Sequence, residues 1–409
     1  MRPLHESEYS TAPQVVETLH FAPEVYIVDS TIRSLQSSIS GSRHTARDLI
    51  DIGIALDGLG VRELIVNLSW KDGPAVCEGL AGAGLRAKVV GTFRARYALA
   101  ERWARDGIAA GVDEICFESA YDAEHLKRLS HLVCSHGKQV SHAFAEGYAY
   151  AEVISLCRAG VSLDMQSQSF HDSFFRFGLT PEGAKHFYRS VLADVSNCPS
   201  LFIHLSNFYG NATMTAVAAL TAGATAADVC MNGIGHHCGH ISLAEIAMVL
   251  EALYGVRTGI KLENLREVSV MVRERTGVPL LPTSPVVGDY AFMTDGAYWA
   301  AEAHLPYEER IHAKFPVSPP TVGNDEQVVW SDNTITNESI NAKLGTIGVE
   351  LKNLDDAVVE RIASALRLAL ERGTGYPRWL SDAEFENICL GAVDGQRYQR
   401  ADFNPRRHT

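Results

Sequence analysis

The sequence predicts an α/β protein built on a (β/α)8 TIM barrel, with a small α-rich C-terminal subdomain region. Three observations predict it. Eight short β-branched or apolar runs recur between residues 25 and 231. Each is separated from the next by a segment whose apolar residues fall at helical spacing. The whole alternation fits in about 230 residues, the size of such a barrel. A doubly wound open sheet would alternate in the same way, but no G-x-G-x-x-G turn follows the first run.

Residues 1 to 24 read as a polar N-terminal extension. Strands are expected at 25–29 (VYIVD), 63–67 (ELIVN), 86–91 (RAKVVG), 112–118 (VDEICFE), 138–144 (KQVSHAF), 161–168 (VSLDMQSQ), 199–205 (PSLFIHL) and 225–231 (TAADVCM). Three of the intervening helices carry start signals. Thr45 with Asp48 supplies a cap and a first-turn acid, Thr180-Pro181-Glu182 opens another helix, and Ser242 with Glu245 spells a capping box. The catalytic barrel is expected to span 25–254. From 255 to 409 the rhythm changes to a helix at 261–276, a stretch punctuated by Pro and Gly, and helices near 336–346, 354–373 and 381–391, which read as small subdomains.

Composition narrows the function. A formal net charge of -13 argues against binding to phosphate backbones, which demand clustered Lys and Arg. No run reaches the roughly 18 apolar residues of a membrane span, and MRPLHESEYSTAPQ has no signal-peptide core. Eight cysteines without one C-x-x-C pair suit reduced thiols in a cytoplasmic protein. The expected partner is a small molecule, with no nucleic acid and no membrane.

Ligands of parallel α/β proteins sit at the carboxyl ends of the strands. The first strand leads into Arg33, which could hold a carboxylate or oxyanion or make an ion pair with Asp29 or a neighbouring loop. Strand four ends in Cys116-Phe117-Glu118. Strand five brings His142 and Glu146, and strand six is expected to end Gln166-Ser167-Gln168-Ser169. Strand seven ends His204-Leu205-Ser206-Asn207, where period-two alternation puts His204 and Ser206 on one face. Strand eight adds Asn232. The loop carrying His236, His237 and His240 matches no standard zinc spacing and reads as solvated.

DSTIRS, IHLSNFYGNATMTAVAALTAGA and MNGIGHHCGHISLAEIAMVLEAL, in this order, resemble the DRE-TIM metallolyase superfamily of isopropylmalate synthase, homocitrate synthase and HMG-CoA lyase. VGDYAFMTDGAYWAAEAH and VGNDEQVVWSDNTITNESINAKLGTIGVEL resemble the subdomains of the two synthases, so the likeness covers residues 25 to 350. It implies a divalent metal (Zn, Mg or Mn) that chelates a 2-oxo acid, attack by an acyl-CoA enolate, an assisting arginine, and a homodimer. This chain departs from the pattern at the metal. The acid that follows the arginine is Ser34, the His-x-His pair is His204 and Ser206, a strand-two acid is Ile65, and the subdomain His-Glu pair is Thr294-Asp295. His204 and Asn232 remain, a weak or absent metal site.

The favoured expectation is a divergent Claisen-type, carbon-carbon bond-forming acyltransferase of a specialised biosynthetic pathway. Arg33 would hold an anion or oxyanion, His204 would act as general acid or base with His142 as a candidate helper, and Ser34, Ser206, Asn207, Glu146, Thr294 and Asp295 would contact substrate. The alternatives are a retro-Claisen or aldol lyase with a relocated metal on His204, Asn232 and one of His236, His237 or Asp29, or a silent paralogue that binds a ligand or partner.

Overall fold

The computed structural model describes residues 7–37, 41–349, 356–372 and 379–393. Eight parallel strands close in chain order into a barrel: Tyr26–Asp29 (β1), Glu63–Asn67 (β2), Lys88–Arg94 (β3), Glu114–Glu118 (β4), Gln139–Phe144 (β5), Ser167–His171 (β6), Ser200–His204 (β7) and Ala226–Val229 (β8). Closure is made by β1 against β8, with Val28 beside Asp228. Period two sorts the side chains. Ile27, Leu64, Ile115, Val140 and Ile203 point outward into a fully buried layer beneath the helices, each contributing on the order of 1.5–3 kcal/mol by burial. Val28, Ile65, Cys116, Ser141, Ser167 and Phe202 face the bore.

The helix signals hold at two of three places. Thr45 and Asp48 form a reciprocal capping box on helix Ala46–Leu59, and the Thr180 hydroxyl accepts from Gly183 N at 3.1 Å, with Pro181 in the first turn. Ser242 occupies the cap of helix Leu243–Met248 without a side-chain bond; Glu245 instead accepts from the Thr213 hydroxyl at 3.0 Å.

The sixth strand lies further along than expected. Val161 and Ser162 complete helix Tyr150–Ser162, Asp164 turns the chain in the left-handed region at φ 50°, and the strand runs from Ser167 to His171. The alternating apolar residues Val161, Leu163 and Met165 cannot by themselves separate a helix end from a strand start. The third strand likewise continues to Arg94.

The compact unit that holds the barrel extends to Val287, beyond the expected boundary at 254. The reason is helix Leu265–Thr276, whose Arg275 pairs with Asp48 at 3.2 Å and Asp51 at 3.0 Å. The second unit, from Gly288, has a three-stranded sheet in the order β11-β10-β9, formed by Leu380–Ser381 (β11), Gln327–Trp330 (β10) and Met293–Asp295 (β9). Its core centres on Trp330, fully buried and stacked on Phe385 at 3.7 Å. Helices Asn337–Thr346, Asp356–Arg372 and Asp382–Val393 match the three expected there. Residues 354, 355 and 373, and the first six of the N-terminal extension, lie outside the described residues. Among the described residues no helix is long and apolar enough to cross a membrane.

Candidate active site at the barrel mouth

Asp29, the last residue of β1, accepts from the backbone N of Thr31 at 2.7 Å and from its hydroxyl at 2.9 Å, while Met231 N donates to that same hydroxyl at 2.7 Å. Burial raises the Asp29 pKa to about 7, against the pull of those bonds. This knot fixes the short helix Thr31–Leu35 over the strand end and delivers Arg33 to the mouth. Arg33 donates through Nε to Glu118 Oε1 at 3.1 Å, with Nη2 at 2.9 Å from the same oxygen. Thr92 adds a hydroxyl donor to Glu118 at 3.0 Å. Burial works against the Arg33 charge, yet Glu118, and after it Asp228, hold its pKa above the ordinary value.

The Arg33 partner is therefore the end of β4, not Asp29, and the guanidinium stays a fixed cation.

Beside it stand three imidazoles. The ring of His204 lies 4.7 Å from that of His171 and 4.4 Å from that of His240. Asp228, one strand over, sets the orientation of His204. Its Oδ2 is 3.2 Å from His204 Nδ1, an ion-pair distance without full hydrogen-bond alignment. Its Oδ1 accepts from the Ser30 hydroxyl at 2.5 Å. The Nδ1 side of His204 is thus turned to a carboxylate, leaving Nε2 for the cavity that the ring lines. His240 is placed by Ser34 Oγ at 3.3 Å and Cys230 Sγ at 3.5 Å, both facing its Nδ1. Burial first, then the nearby His204 and Arg33, holds His171 and His240 well below the ordinary imidazole range. They are neutral donors or acceptors near neutral pH.

These groups open on a cavity of about 500 Å³ whose walls include Arg33, Ser34, Asn67, Arg94, His171, His204, Ser206 and His240. A fixed cation, neutral imidazoles and hydroxyls around one cavity suit an anionic substrate on which negative charge moves to oxygen.

Within the barrel unit the structure brings Arg33, Ser34, His204 and Ser206 together, with His236 and His237 at the rim of the same cavity, and sets His142, Asn207, Asn232 and Glu146 to other tasks. His142 is fully buried and faces outward from β5, its Nε2 accepting from Ala120 N at 3.3 Å and its ring against Phe144. On a strand whose Ser141 and Ala143 face the bore, His142 must face the helices. Asn207 accepts from Ala212 N and so serves the start of the next helix. Asn232, at φ 57°, is bound through its amide to Ser269 on helix Leu265–Thr276. Glu146 is held by Arg96 at 2.6 Å, with Arg94 at 3.7 Å. In the second unit the Thr294 hydroxyl donates to Glu326 at 2.8 Å, and Asp295 caps helix Gly296–Glu302. Of the loop expected to be solvated, His237 is exposed, His236 is half-buried and His240 is buried, and all three line the cavity.

Three residues were missed. His171 was hidden by the displaced sixth strand. Asp228 sits one strand from His204 in register, a pairing that parity along strand eight could have found. His240 reaches the site because the glycine-rich loop folds inward.

The donor set does not fit the divalent metal of the resembled family. Where an acid is called for, Ser34 offers a neutral hydroxyl that is already engaged with His240; His204 turns Nδ1 to Asp228, and Asn232 is bound elsewhere. Among the described residues no group of three or more His, Cys, Asp or Glu side chains is arranged to hold an ion.

Residues 177–272 match the HMGL-like family. Along nearly its whole length the chain is 26% identical to a homocitrate synthase of Methanopyrus kandleri, covering 94% of this chain and 96% of that one. It is 27% identical to the 2-isopropylmalate synthase of Methanocaldococcus jannaschii, covering 88% and 71%. A putative (R)-citramalate synthase of Methanopyrus kandleri is 34% identical over 48% of this chain, which spans 37% of that protein. The hydroxymethylglutaryl-CoA lyase of Pseudomonas aeruginosa shares the fold, with a TM-score of 0.51 at 15% identity over 63% of this chain and 94% of that one. The chain is thus a divergent relative of the alkylmalate-type synthases and carries an HMGL-like segment on a TIM barrel.

Proposed function

We propose that this protein catalyses a Claisen-type condensation of an acyl-CoA with a 2-oxo acid, using Arg33 to hold the developing oxyanion and the His204–Asp228 pair for proton transfer. The observation that carries the reading is the Ser30–Asp228–His204 arrangement beside the Arg33–Glu118 pair in one cavity. His204, oriented by Asp228, takes the α-proton of the thioester; the resulting enolate carbon attacks the ketone carbon of the 2-oxo acid, and the ketone oxygen becomes an alkoxide facing Arg33. The alkoxide is then protonated, and water hydrolyses the thioester to release CoA as a free thiol. The neutral rings of His171 and His240 supply hydrogen bonds without adding charge. Cleavage of the product would use the same groups in reverse. Condensation is preferred because the similarity to synthases runs across the C-terminal unit as well as the barrel.

Thiol release is to be followed over a panel of acyl-CoAs with 2-oxo acids. Arg33→Ala should lower kcat by about 10²–10³-fold, the scale of one lost oxyanion donor, and Asp228→Asn should reduce it with little change in KM. If wild type releases no thiol from any pair yet binds ligand, the reading fails in favour of a silent paralogue.

Because the donor set is poor, purified protein should hold less than one divalent ion per chain, and chelators should leave thiol release intact. One tightly held Zn, Mg or Mn per chain by elemental analysis would overturn that. A homodimer is part of the same reading, and sedimentation equilibrium measures it directly.

A further inference from the structure

We propose that Arg94 holds the carboxylate of the 2-oxo acid, a task that a chain without a metal grip must assign to a side chain. This rests on the condensation reading above. Arg94 closes β3, and Val90, Thr92 and Arg94 alternate on the bore-facing side of that strand. Thr92 binds Glu118, the carboxylate that carries Arg33. Arg94 therefore stands beside Glu118 in register on the neighbouring strand, on the wall of the same cavity.

Its partners distinguish it from the other arginine of this strand end. Arg96 is satisfied: it takes Glu146 at 2.6 Å and the Ser119 carbonyl at 2.9 Å, and it lies over Tyr121 and Tyr148 at 5.0 Å and 5.5 Å. Arg94 is left with the other oxygen of Glu146 at 3.7 Å, beyond hydrogen-bond reach, and its side chain is 51% exposed. One carboxylate thus serves two guanidinium groups, and the loosely held one faces the cavity. Arg33 and Arg94 both act on the His171 ring, helping to keep it neutral after burial. Two cations flanking one imidazole layer can divide the substrate. A guanidinium fork matches a carboxylate bidentately, so Arg94 takes the acid end and leaves Arg33 for the oxygen that becomes an alkoxide.

Pyruvate and 2-oxoglutarate, titrated by calorimetry into the full chain without acyl-CoA, test the assignment. Wild type should bind at least one of them, Arg94→Gln should weaken that binding about 10- to 100-fold, the range of a charge-assisted hydrogen bond, and Arg94→Lys should recover part of it. In the thiol assay Arg94→Gln should raise KM for the 2-oxo acid by the same factor, leaving KM for the acyl-CoA unchanged. Unaltered binding by Arg94→Gln, or a fall in kcat at constant KM, overturns the assignment while the condensation reading stands on its thiol release. A wild type that binds neither acid and releases no thiol with any 2-oxo acid removes both. Thermal melts of the variants separate loss of binding from loss of fold.

Discussion

His142 and His204 are both buried imidazoles on barrel strands, and only strand parity separates their roles. His204 ends its strand facing the bore, where Asp228 meets it at 3.2 Å. His142 faces the helices, and burial pushes its pKa down to about 3. Above pH 6.5 the imidazole is neutral in both folded and unfolded chains, so it costs nothing there. Below 6.5 the unfolded chain takes up a proton that the folded chain refuses, and stability falls with pH until about 3. One proton is worth about 1.4 kcal/mol per pH unit. Between pH 6.5 and 4.5, wild type should therefore lose about 2–3 kcal/mol more than His142→Gln in urea unfolding. Thiol release at pH 7.5 should be the same for both. Equal pH slopes would show that His142 is not held neutral, and a large loss of activity would return it to the site. Arg33 and His204 were legible as candidates because strand ends are legible. Asp228 was legible only through parity along strand eight, as a bore-facing acid in TAADVCM, and its partner shows once strands seven and eight are paired.

At the scale of elements, the loop after β8 decides whether the mouth is complete. GIGHHCGH reads as a flexible, solvated run, and for His237 that is its fate. His240 is drawn inside by backbone bonds, with His240 N donating to Gly233 O at 3.0 Å and Asn207 N to Gly239 O at 2.8 Å. No periodic pattern announces such a fold, since the bonds join a loop to two strand ends far apart in sequence. Gly235 is one of the residues that permit it: a Cβ there would stand 2.1 Å from His240 Nδ1. That contact must displace the ring and break its approach to Ser34 and Cys230. Gly235→Ala should cost about 1–3 kcal/mol, as overpacking does, and should reduce thiol release while leaving its own far-UV signal unchanged. Unchanged kinetics in Gly235→Ala would mean that His240 has no part in the chemistry. The sixth strand teaches the same lesson at lower cost. A misplaced helix end hid His171, while the capped helix at Thr45 was found to the residue because its signal is local.

For the whole molecule, the alternation of eight runs was enough to give the barrel. The division of the chain was harder, because helix Leu265–Thr276 looks no different in sequence whether it packs on the barrel or on the subdomains. Both units bury cores of their own. All eight barrel strands lie before Val287, and the second unit packs Trp330, Trp299, Ile340, Ile362 and Phe385 together. A chain ending at Val287 should therefore unfold in urea as one cooperative transition with native near-UV ellipticity. Gly296 supplies the complementary perturbation, since a Cβ there would lie 2.3 Å from the Trp330 ring. In the full chain, Gly296→Ala should weaken the second unit by about 1–3 kcal/mol. Three of the five tryptophans, at 299, 330 and 379, report on that unit, and two, at 70 and 103, report on the barrel. Fluorescence should then lose its major component at lower urea, while far-UV ellipticity keeps a later barrel step at the midpoint of the shorter chain. A single transition shifted as a whole by Gly296→Ala would show that the two cores melt as one.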